Sequence, residues 1–397
     1  MIEERGLPPL SLYIHIPWCV TKCPYCDFHS LPRQGPLPEA RYVRALLADL
    51  DQAEEALQGR TVQTIFFGGG TPSLFSAGAI NEILAGINHR TALPPACEIT
   101  LEANPGTVEA GRFAAFREAG VNRLSLGIQS LQDPFLRALG RIHDSQEACA
   151  AIDQAASSGF RSFNIDLMYG LPGQRAGEAL ADVCAALSAQ PRHLSLYELT
   201  IEAHTAFAHR PPILPDEQER EAIEAAVQSA AQSAHLERYE VSAYASPGFQ
   251  CAHNLNYWQF GDYLGLGAGA HGKLSTRQGV VREVRAPDPE RYMEGTDRVM
   301  SRRVLSDADL VFEFLLNALR LTEGFSIRLF TARTGRDFKD SVPQWPDAVA
   351  KGLLLVDAER VRVTPLGRRF LDSLLSSLLT GADPASLPLE VTRHALG

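Results

Sequence analysis

The sequence predicts an open parallel α/β barrel of six strand–helix units, followed by a small, mainly helical tail. Short apolar runs of strand length alternate with longer stretches of helical period through Pro215–Ala234. Right-handed crossovers of similar length curl such a sheet toward a barrel, and six units rather than eight suggest an open one of the triose-isomerase (TIM) type. The polar or glycine residues of interest fall just past strand ends: Cys19, Gly68 to Gly70, Glu102, Gln129 and Asp166. In a parallel barrel such positions share one face, where active sites sit. In a doubly wound sheet, the alternative arrangement, they would split around a switch point.

The first strand spans Leu10 to Ile16, and Pro17 ends it because proline cannot donate to a ladder. Cys19, Cys23 and Cys26 follow on a loop, and Leu31 to Pro38 is a proline-rich connector. The helix Pro38 to Gln58 carries Val43, Leu46, Leu47, Leu50 and Leu57 at helical spacing and stops at Gly59. The buried strand Thr64 to Phe67 runs into Gly68-Gly69-Gly70-Thr71-Pro72-Ser73, and a helix follows over Ser76 to Asn88. Strand Glu98 to Ala103 breaks at Asn104-Pro105-Gly106, before helix Val108 to Ala119. Strand Arg123 to Ile128 leads to Gln129, then helix Ser145 to Ser158. Strand Ser162 to Met168, helix Glu178 to Ala189, strand His193 to Leu199 and helix Pro215 to Ala234 complete the units. Continuous apolar strands of this kind belong in a parallel sheet covered by helices.

Beyond Leu236 the pattern changes. Tyr239 to Tyr244 reads as a further strand, a glycine-rich run reaches Gly272, and Pro287 to Arg303 reads as linker and short helix. From Ser306 come helix Ala308 to Leu321, strand Arg360 to Val363 and helix Arg368 to Leu379, a winged-helix-like unit. The chain thus divides at 1–235, 236–303 and 304–397. Winged helices often bind DNA, but a fold does not carry a function, and a structural or lid role is expected here.

The net charge of −10, from 37 basic and 47 acidic residues, argues against a general nucleic-acid binder, which needs a basic face. No apolar run approaches a bilayer span, and Met1 to Pro9 shows no signal peptide. A soluble cytoplasmic protein with at most peripheral membrane contact is expected. Seven cysteines, an odd count, do not make a disulfide framework, and free thiols suit a reducing compartment. Cys97, Cys149 and Cys184 lie in apolar segments and are expected as buried, inert thiols.

The spacing Cys19-x3-Cys23-x2-Cys26 lets three thiolates converge on one soft metal centre. Three thiolates leave one iron of a cubane cluster without a protein ligand, and an open iron can bind a substrate. A Cys3His zinc site using His15 or His29 is the competing reading, and three unrelated core thiols the plainest. The triple glycine lets a backbone approach a ligand without Cβ interference, or it is a tight turn. Glu102 could accept from two ribose hydroxyls, or it is a solvated charge or cap. Asp166, between Ile165 and Leu167, should point inward or to the strand top, and a buried unpaired carboxylate is costly. A partner such as Arg141 or a ligand hydroxyl is therefore expected.

Gly267-Ala268-Gly269-Ala270-His271-Gly272 matches GxGxxG, but Leu274 to Gly279 after it is turn-like rather than helical, so a dinucleotide site is rejected. In His253-Asn254-Leu255-Asn256-Tyr257-Trp258, helical spacing pairs His253 with Tyr257 and Asn254 with Trp258, all on one side. His253 is then an axial haem ligand or a hydrogen-bonded histidine in an aromatic core.

The cysteine spacing, with Tyr25 before the last cysteine, resembles the radical S-adenosylmethionine (SAM) superfamily. With Tyr13-x-His15-x-Pro17, Gly68 to Pro72, Leu101-Glu102-Ala103-Asn104-Pro105, Leu124 to Gln129 and Asn164-x-Asp166-Leu167-x-Tyr169-Gly170-Leu171-Pro172, nearly the whole chain resembles the oxygen-independent coproporphyrinogen III oxidases and their haem-chaperone relatives. The resemblance implies an open (β/α)6 TIM-like radical SAM barrel with a 4Fe-4S cluster on Cys19, Cys23 and Cys26. It sets Tyr13, Tyr25, Gly69, Glu102, Gln129, Arg141 and Asp166 at positions that bind a first SAM. Gly70 and Thr71 fall where the oxidase holds a second.

Two features choose the branch. The oxidase carries a fourth cysteine where this chain has Phe28, and a longer N-terminal extension. His253-Asn254-x-x-Tyr257-Trp258 matches a motif associated with haem binding in the chaperone branch. The resemblance therefore implies a haem chaperone that delivers haem to apo-haemoproteins such as respiratory enzymes, with His253 as axial ligand, Asn254 beside it, and Tyr257 and Trp258 on the macrocycle. It also implies cluster-dependent homodimers. The alternatives are oxidative decarboxylation of coproporphyrinogen III propionates, which Phe28 opposes, and a zinc-dependent regulator, which needs a basic surface.

Overall fold

The computed structural model describes residues 6–57, 59–91, 93–106 and 111–378. β1 (Leu10–Ile16), β2 (Val62–Gly69), β3 (Glu98–Ala103), β4 (Arg123–Gln129), β5 (Ser162–Tyr169) and β6 (His193–Glu198) pair in parallel in chain order. Each is followed by its helix: α1 (Glu39–Gln52), α2 (Ala77–Arg90), α3 (Arg112–Glu118), α4 (Ser145–Ser157), α5 (Ala176–Leu187) and α6 (Glu217–Ser233). All six expected units are present. The strands are not uniformly apolar, however. Leu124, Leu126, Ile165, Leu167, Leu194 and Leu196 pack with the helices in one core. Alternate residues of the same strands, Arg123, Ser125, Asn164, Asp166, His193 and Ser195, line a cavity on the other face. Period-two alternation puts the two sets on opposite faces of the sheet.

The sheet continues past the six units. On the free side of β1, the helix α7 (Ala252–Trp258) leads to β7 (Asp262–Leu266), which pairs parallel with β1. β8 (His271–Thr276), β9 (Gly279–Arg285) and β10 (Val299–Val304) extend it antiparallel. At the far edge, Ala243–Ala245 and Glu237–Arg238 follow β6. Among the described residues the two edges do not pair, so the sheet is open.

β7 and β8 correct the glycine-rich, turn-like reading of this region. A Cβ on Gly265 would lie 2.0 Å from the His271 carbonyl oxygen, and one on Gly267 2.3 Å from that of His15. These glycines allow two backbones to approach closely, so a loop-like composition builds strands. No helix follows the GxGxxG match, as the rejection of a dinucleotide site required.

Other boundaries shift. Leu31–Pro32 in the connector pairs with Trp18–Cys19, which closes the cysteine loop. The expected strand over Tyr239 to Tyr244 is two short strands around a turn, and Pro287 to Arg303 holds both a short helix and β10. The first long helix breaks at Ala53. Its predicted end at Gln58, the predicted helix start at Val108 and the last residue of the predicted C-terminal helix, Leu379, lie outside the described residues. Cys97 is buried, but Cys149 and Cys184 are exposed on the outer faces of α4 and α5, against expectation.

Beyond Leu305 a second core forms around Phe314, Phe325, Phe330 and Phe338, whose rings meet edge to face. It is mainly helical, led by α8 (Asp307–Ala318), with a three-stranded sheet of two to four residues per strand. Phe260, just after α7, belongs to this core.

Asp262 opens β7 at this junction, with its side chain fully buried. It accepts from Arg60 Nη2 at 2.9 Å, Lys273 Nζ at 3.4 Å, Ser275 N at 3.0 Å and Ser275 Oγ at 2.9 Å. Lys273 is also buried, and burial holds its ammonium down to about 8. Asp262→Ala would strand a buried cation, so it should lower unfolding stability by about 3–5 kcal/mol. Chemical denaturation of the variant, with Asp262→Asn alongside, measures the loss.

Candidate functional site

The cysteine loop leaves β1 and folds over the carboxyl ends of the parallel strands. Backbone bonds from Leu31 N to Pro17 O and from Arg33 N to Cys19 O, both 2.8 Å, tie its two ends together. Cys19, Cys23 and Cys26 are free thiols that line one cavity. Burial pushes the Cys26 thiol up to about 11 and raises that of Cys19 as well. A coordinating metal would ionise them outright. Arg141 Nη1 donates to Cys23 Sγ at 3.7 Å. The histidines of the zinc reading turn elsewhere: His15 Nε2 donates to His29 O at 2.8 Å, and His29 Nε2 to Pro287 O at 2.7 Å. With both histidines outside the lining of this cavity, the loop offers it three thiols, a set that suits an iron–sulfur cluster.

The triple glycine ends β2 beside this loop. A Cβ on Gly70 would lie 2.5 Å from the Trp18 carbonyl oxygen, and one on Gly69 2.6 Å from the His15 ring. The glycines thus serve close packing as well as cavity lining. Gly69 N donates to Glu102 Oε2 at 3.2 Å, and Asn104 Nδ2 donates to Thr71 Oγ1 at 3.0 Å.

Glu102 and Asp166 face each other's field inside the barrel. Burial first, then the Asp166 carboxylate, pushes Glu102 up to about 8, against the pull of the Gly69 amide. Burial also raises Asp166, offset by hydrogen bonds. Asp166 accepts from Ser125 Oγ at 3.0 Å and Asn164 Nδ2 at 2.7 Å. The expected Arg141 partner is a correction: Arg141 instead donates to Asn104 Oδ1 at 2.6 Å and Gly127 O at 2.7 Å. Gln129 sits at a register shift between β4 and β5 with φ of 69°, a bulge that re-aims its side chain into the cavity.

Of the residues the resemblance assigned to SAM, Tyr25, Gly69, Gly70, Thr71, Glu102, Gln129, Arg141 and Asp166 line the one cavity with the cysteines. Tyr13 does not. It lines a smaller recess next door with His15, Phe28, His29 and Tyr257, and donates to His15 Nδ1 at 3.1 Å. Gly69 lines both.

The four residues of the haem motif do not share one side. His253 is 1% exposed, stacked 5.0 Å from Phe66, with Thr64 Oγ1 at 2.7 Å from Nδ1 and Tyr257 Oη at 2.9 Å from Nε2. Tyr257 reaches the recess, Asn254 lines the main cavity, and Trp258 is buried under the Arg320 guanidinium at 4.3 Å. α7 is a plug with three outlooks, because its single residues meet β2, the cavity and Arg320 in turn. Sequence reasoning missed the polar inner face itself: Arg123, Ser125, Asn164, His193, Ser195 and Tyr197. Their signal was the alternation in Arg-Leu-Ser-Leu-Gly-Ile-Gln and His-Leu-Ser-Leu-Tyr-Glu.

Residues 13–183 match the Radical SAM superfamily, and 305–370 match the HemN C-terminal domain. The chain is 49% identical to the Escherichia coli protein "Heme chaperone HemW" over 94% of this chain and 99% of that one. It is 35% identical to the Mycobacterium tuberculosis protein of the same name, over 95% and 98%. It is also 35% identical to the Bos taurus mitochondrial "Radical S-adenosyl methionine domain-containing protein 1", over 94% and 88%. In fold it is similar to the solved E. coli coproporphyrinogen III oxidase HemN, with a TM-score of 0.81 at 21% identity, over 95% of this chain and 91% of that one. The superfamily implies a 4Fe-4S cluster and SAM, and no helix among the described residues is long and apolar enough to cross a membrane. Matched end to end at close to half its positions, the chain belongs to the HemW family within the radical SAM superfamily.

Proposed function

We propose that this protein is a haem chaperone: it holds a 4Fe-4S cluster, SAM and haem, and passes haem to apo-haemoproteins such as respiratory enzymes. The observation that carries the reading is 49% identity, along nearly the full length, to the heme chaperone HemW of E. coli. Cys19, Cys23 and Cys26 would hold the cluster, since they supply the thiols around one cavity. Gly69, Glu102, Gln129, Arg141 and Asp166 would hold SAM beside it, with Tyr25 against the loop and Tyr13 from the adjoining recess. Gly70 and Thr71 lie where a second SAM would sit. A bound cluster with SAM supplies one-electron chemistry. The chain's own part is to exclude water, to orient the sulfonium nucleotide and to keep two carboxyl groups poised for it. Acceptor recognition, homodimer formation and residence in the cytoplasm belong to the same proposal, with no nucleic-acid partner.

Anaerobically reconstituted protein should show a Soret band on haem titration and restore activity to an apo-haemoprotein. Absence of binding at micromolar haem overturns the reading. So does protoporphyrinogen formation from coproporphyrinogen III with a reductant, which would make the protein an oxidase.

Glu102 makes SAM binding depend on pH. In the free protein its carboxyl titrates near 8, so it is protonated at neutral pH. Ribose hydroxyls and a nearby sulfonium favour the carboxylate, so binding below that value releases a proton. Affinity should therefore rise with pH, by up to about tenfold per unit below 8, then level off. Equilibrium dialysis of SAM against wild type and Glu102→Gln checks this, because the variant should be weak and flat over the same range.

A further inference from the structure

The cavity extends below the residues assigned to SAM. Arg123 opens β4, two residues before Ser125, the register partner of Glu102, and so lies about 7 Å further down the strand than that carboxylate. It is 4% exposed and lines the cavity. Its Nε has no hydrogen-bond partner, and its guanidinium forms no ion pair among the described residues. Burial works against its charge, and Glu98 and Asp166 favour it only through their fields, so an anion in direct contact would satisfy it better.

The neighbouring groups are committed elsewhere. Glu98 accepts from Ala252 N at 3.2 Å and His253 N at 3.0 Å, at the start of α7. Asp166 is held by Ser125 and Asn164. His193 Nδ1 donates to Asn164 Oδ1 at 2.6 Å, and its Nε2 accepts from Tyr239 Oη at 2.8 Å. An unpartnered buried nitrogen such as Arg123 Nε calls for an explanation in a native interior, and a ligand atom is one.

We propose that the floor of the cavity is a carboxylate-binding subsite in which Arg123 pairs with an acid group of the molecule that enters the barrel. A planar guanidinium suits a planar carboxylate in bidentate contact. A doubly charged phosphate would suffer more from Asp166 nearby. On the haem-chaperone reading, which this inference refines, the acid group is a haem propionate.

Two measurements test it separately from that reading. Haem and haem dimethyl ester are titrated anaerobically into reconstituted wild type, Arg123→Gln and Arg123→Lys, with SAM binding checked in each. Wild type should prefer free haem to the ester by about tenfold or more, the worth of a charge-assisted pair. Arg123→Gln should lose that preference and leave ester binding unchanged, with Arg123→Lys in between. Independently, about 100 mM propionate, against equal chloride, should raise the thermal midpoint of wild type and not of Arg123→Gln. Equal haem and ester affinity in wild type, or equal loss of both in Arg123→Gln, overturns the haem form of the proposal. No propionate effect overturns the subsite itself. A propionate effect in protein that does not bind haem keeps the subsite and rejects the chaperone reading.

Discussion

Cys23→Ser should emerge from anaerobic purification and reconstitution colourless, with iron and acid-labile sulfide each falling from about four to below about one per chain. SAM binding should be lost with them. The serine oxygen is a harder, poorer ligand for iron than a thiolate, and two remaining thiols cannot hold a cubane in place. Cys23 is the informative choice because Arg141 donates to its sulfur, so the substitution also leaves a buried guanidinium short of a partner. That second effect is separable. Arg141 keeps Asn104 Oδ1 and Gly127 O, so the fold should hold, and circular dichroism should be unchanged. Cys149→Ser and Cys184→Ser are the controls, since both thiols are exposed on outer helices away from the cavity. They should bind a full cluster. Wild-type protein carrying zinc and no iron would overturn the cluster reading, and with it every SAM assignment made for the cavity.

The six strand–helix units were legible because apolar runs of strand length bounded by glycine and proline are a local signal. What lined the barrel was less so. Reading the strands as continuous apolar runs hid the alternation that sends Arg123, Ser125, Asn164 and Ser195 inward beside Asp166. The seventh parallel strand was invisible for a different reason. Gly265 and Gly267 resemble a loop in composition, and the His15 backbone that Gly267 accommodates lies far back in the chain, in β1. The exposed Cys149 could have been placed: Ala148, Ala151, Ile152 and Ala155 form the buried stripe of α4, and position 149 falls off it. The partners of His253 could not all be found. Tyr257 is one helical turn away, but Thr64 is 189 residues distant and reaches it only through the sheet.

That distant partner decides the state of the imidazole. Thr64 Oγ1 donates to Ser11 Oγ at 2.7 Å, so it meets His253 Nδ1 with a lone pair, and Nδ1 carries the proton. Nε2 is left with its lone pair, which accepts from Tyr257 Oη at 2.9 Å. Burial, reinforced by Arg123, pushes the ring down to about 3, so it stays neutral. A neutral imidazole with an oriented N–H and a free lone pair on the other nitrogen is the form that ligates iron. Here the Tyr257 hydroxyl occupies that lone pair, and iron must compete for it. Two results are expected if His253 is the axial ligand. His253→Ala should weaken haem binding by about tenfold or more and shift the Soret band, since charge-independent contacts remain. Tyr257→Phe should strengthen binding severalfold, because the competing bond, worth about 1 kcal/mol, is gone. Thr64→Val should act in the opposite sense, by releasing the Nδ1 proton from its acceptor. A histidine that only fills the core predicts another pattern: all three variants lose stability and bind haem with one unchanged spectrum. Opposite signs for Tyr257→Phe and Thr64→Val are the discriminating outcome, since lost packing moves both in the same direction.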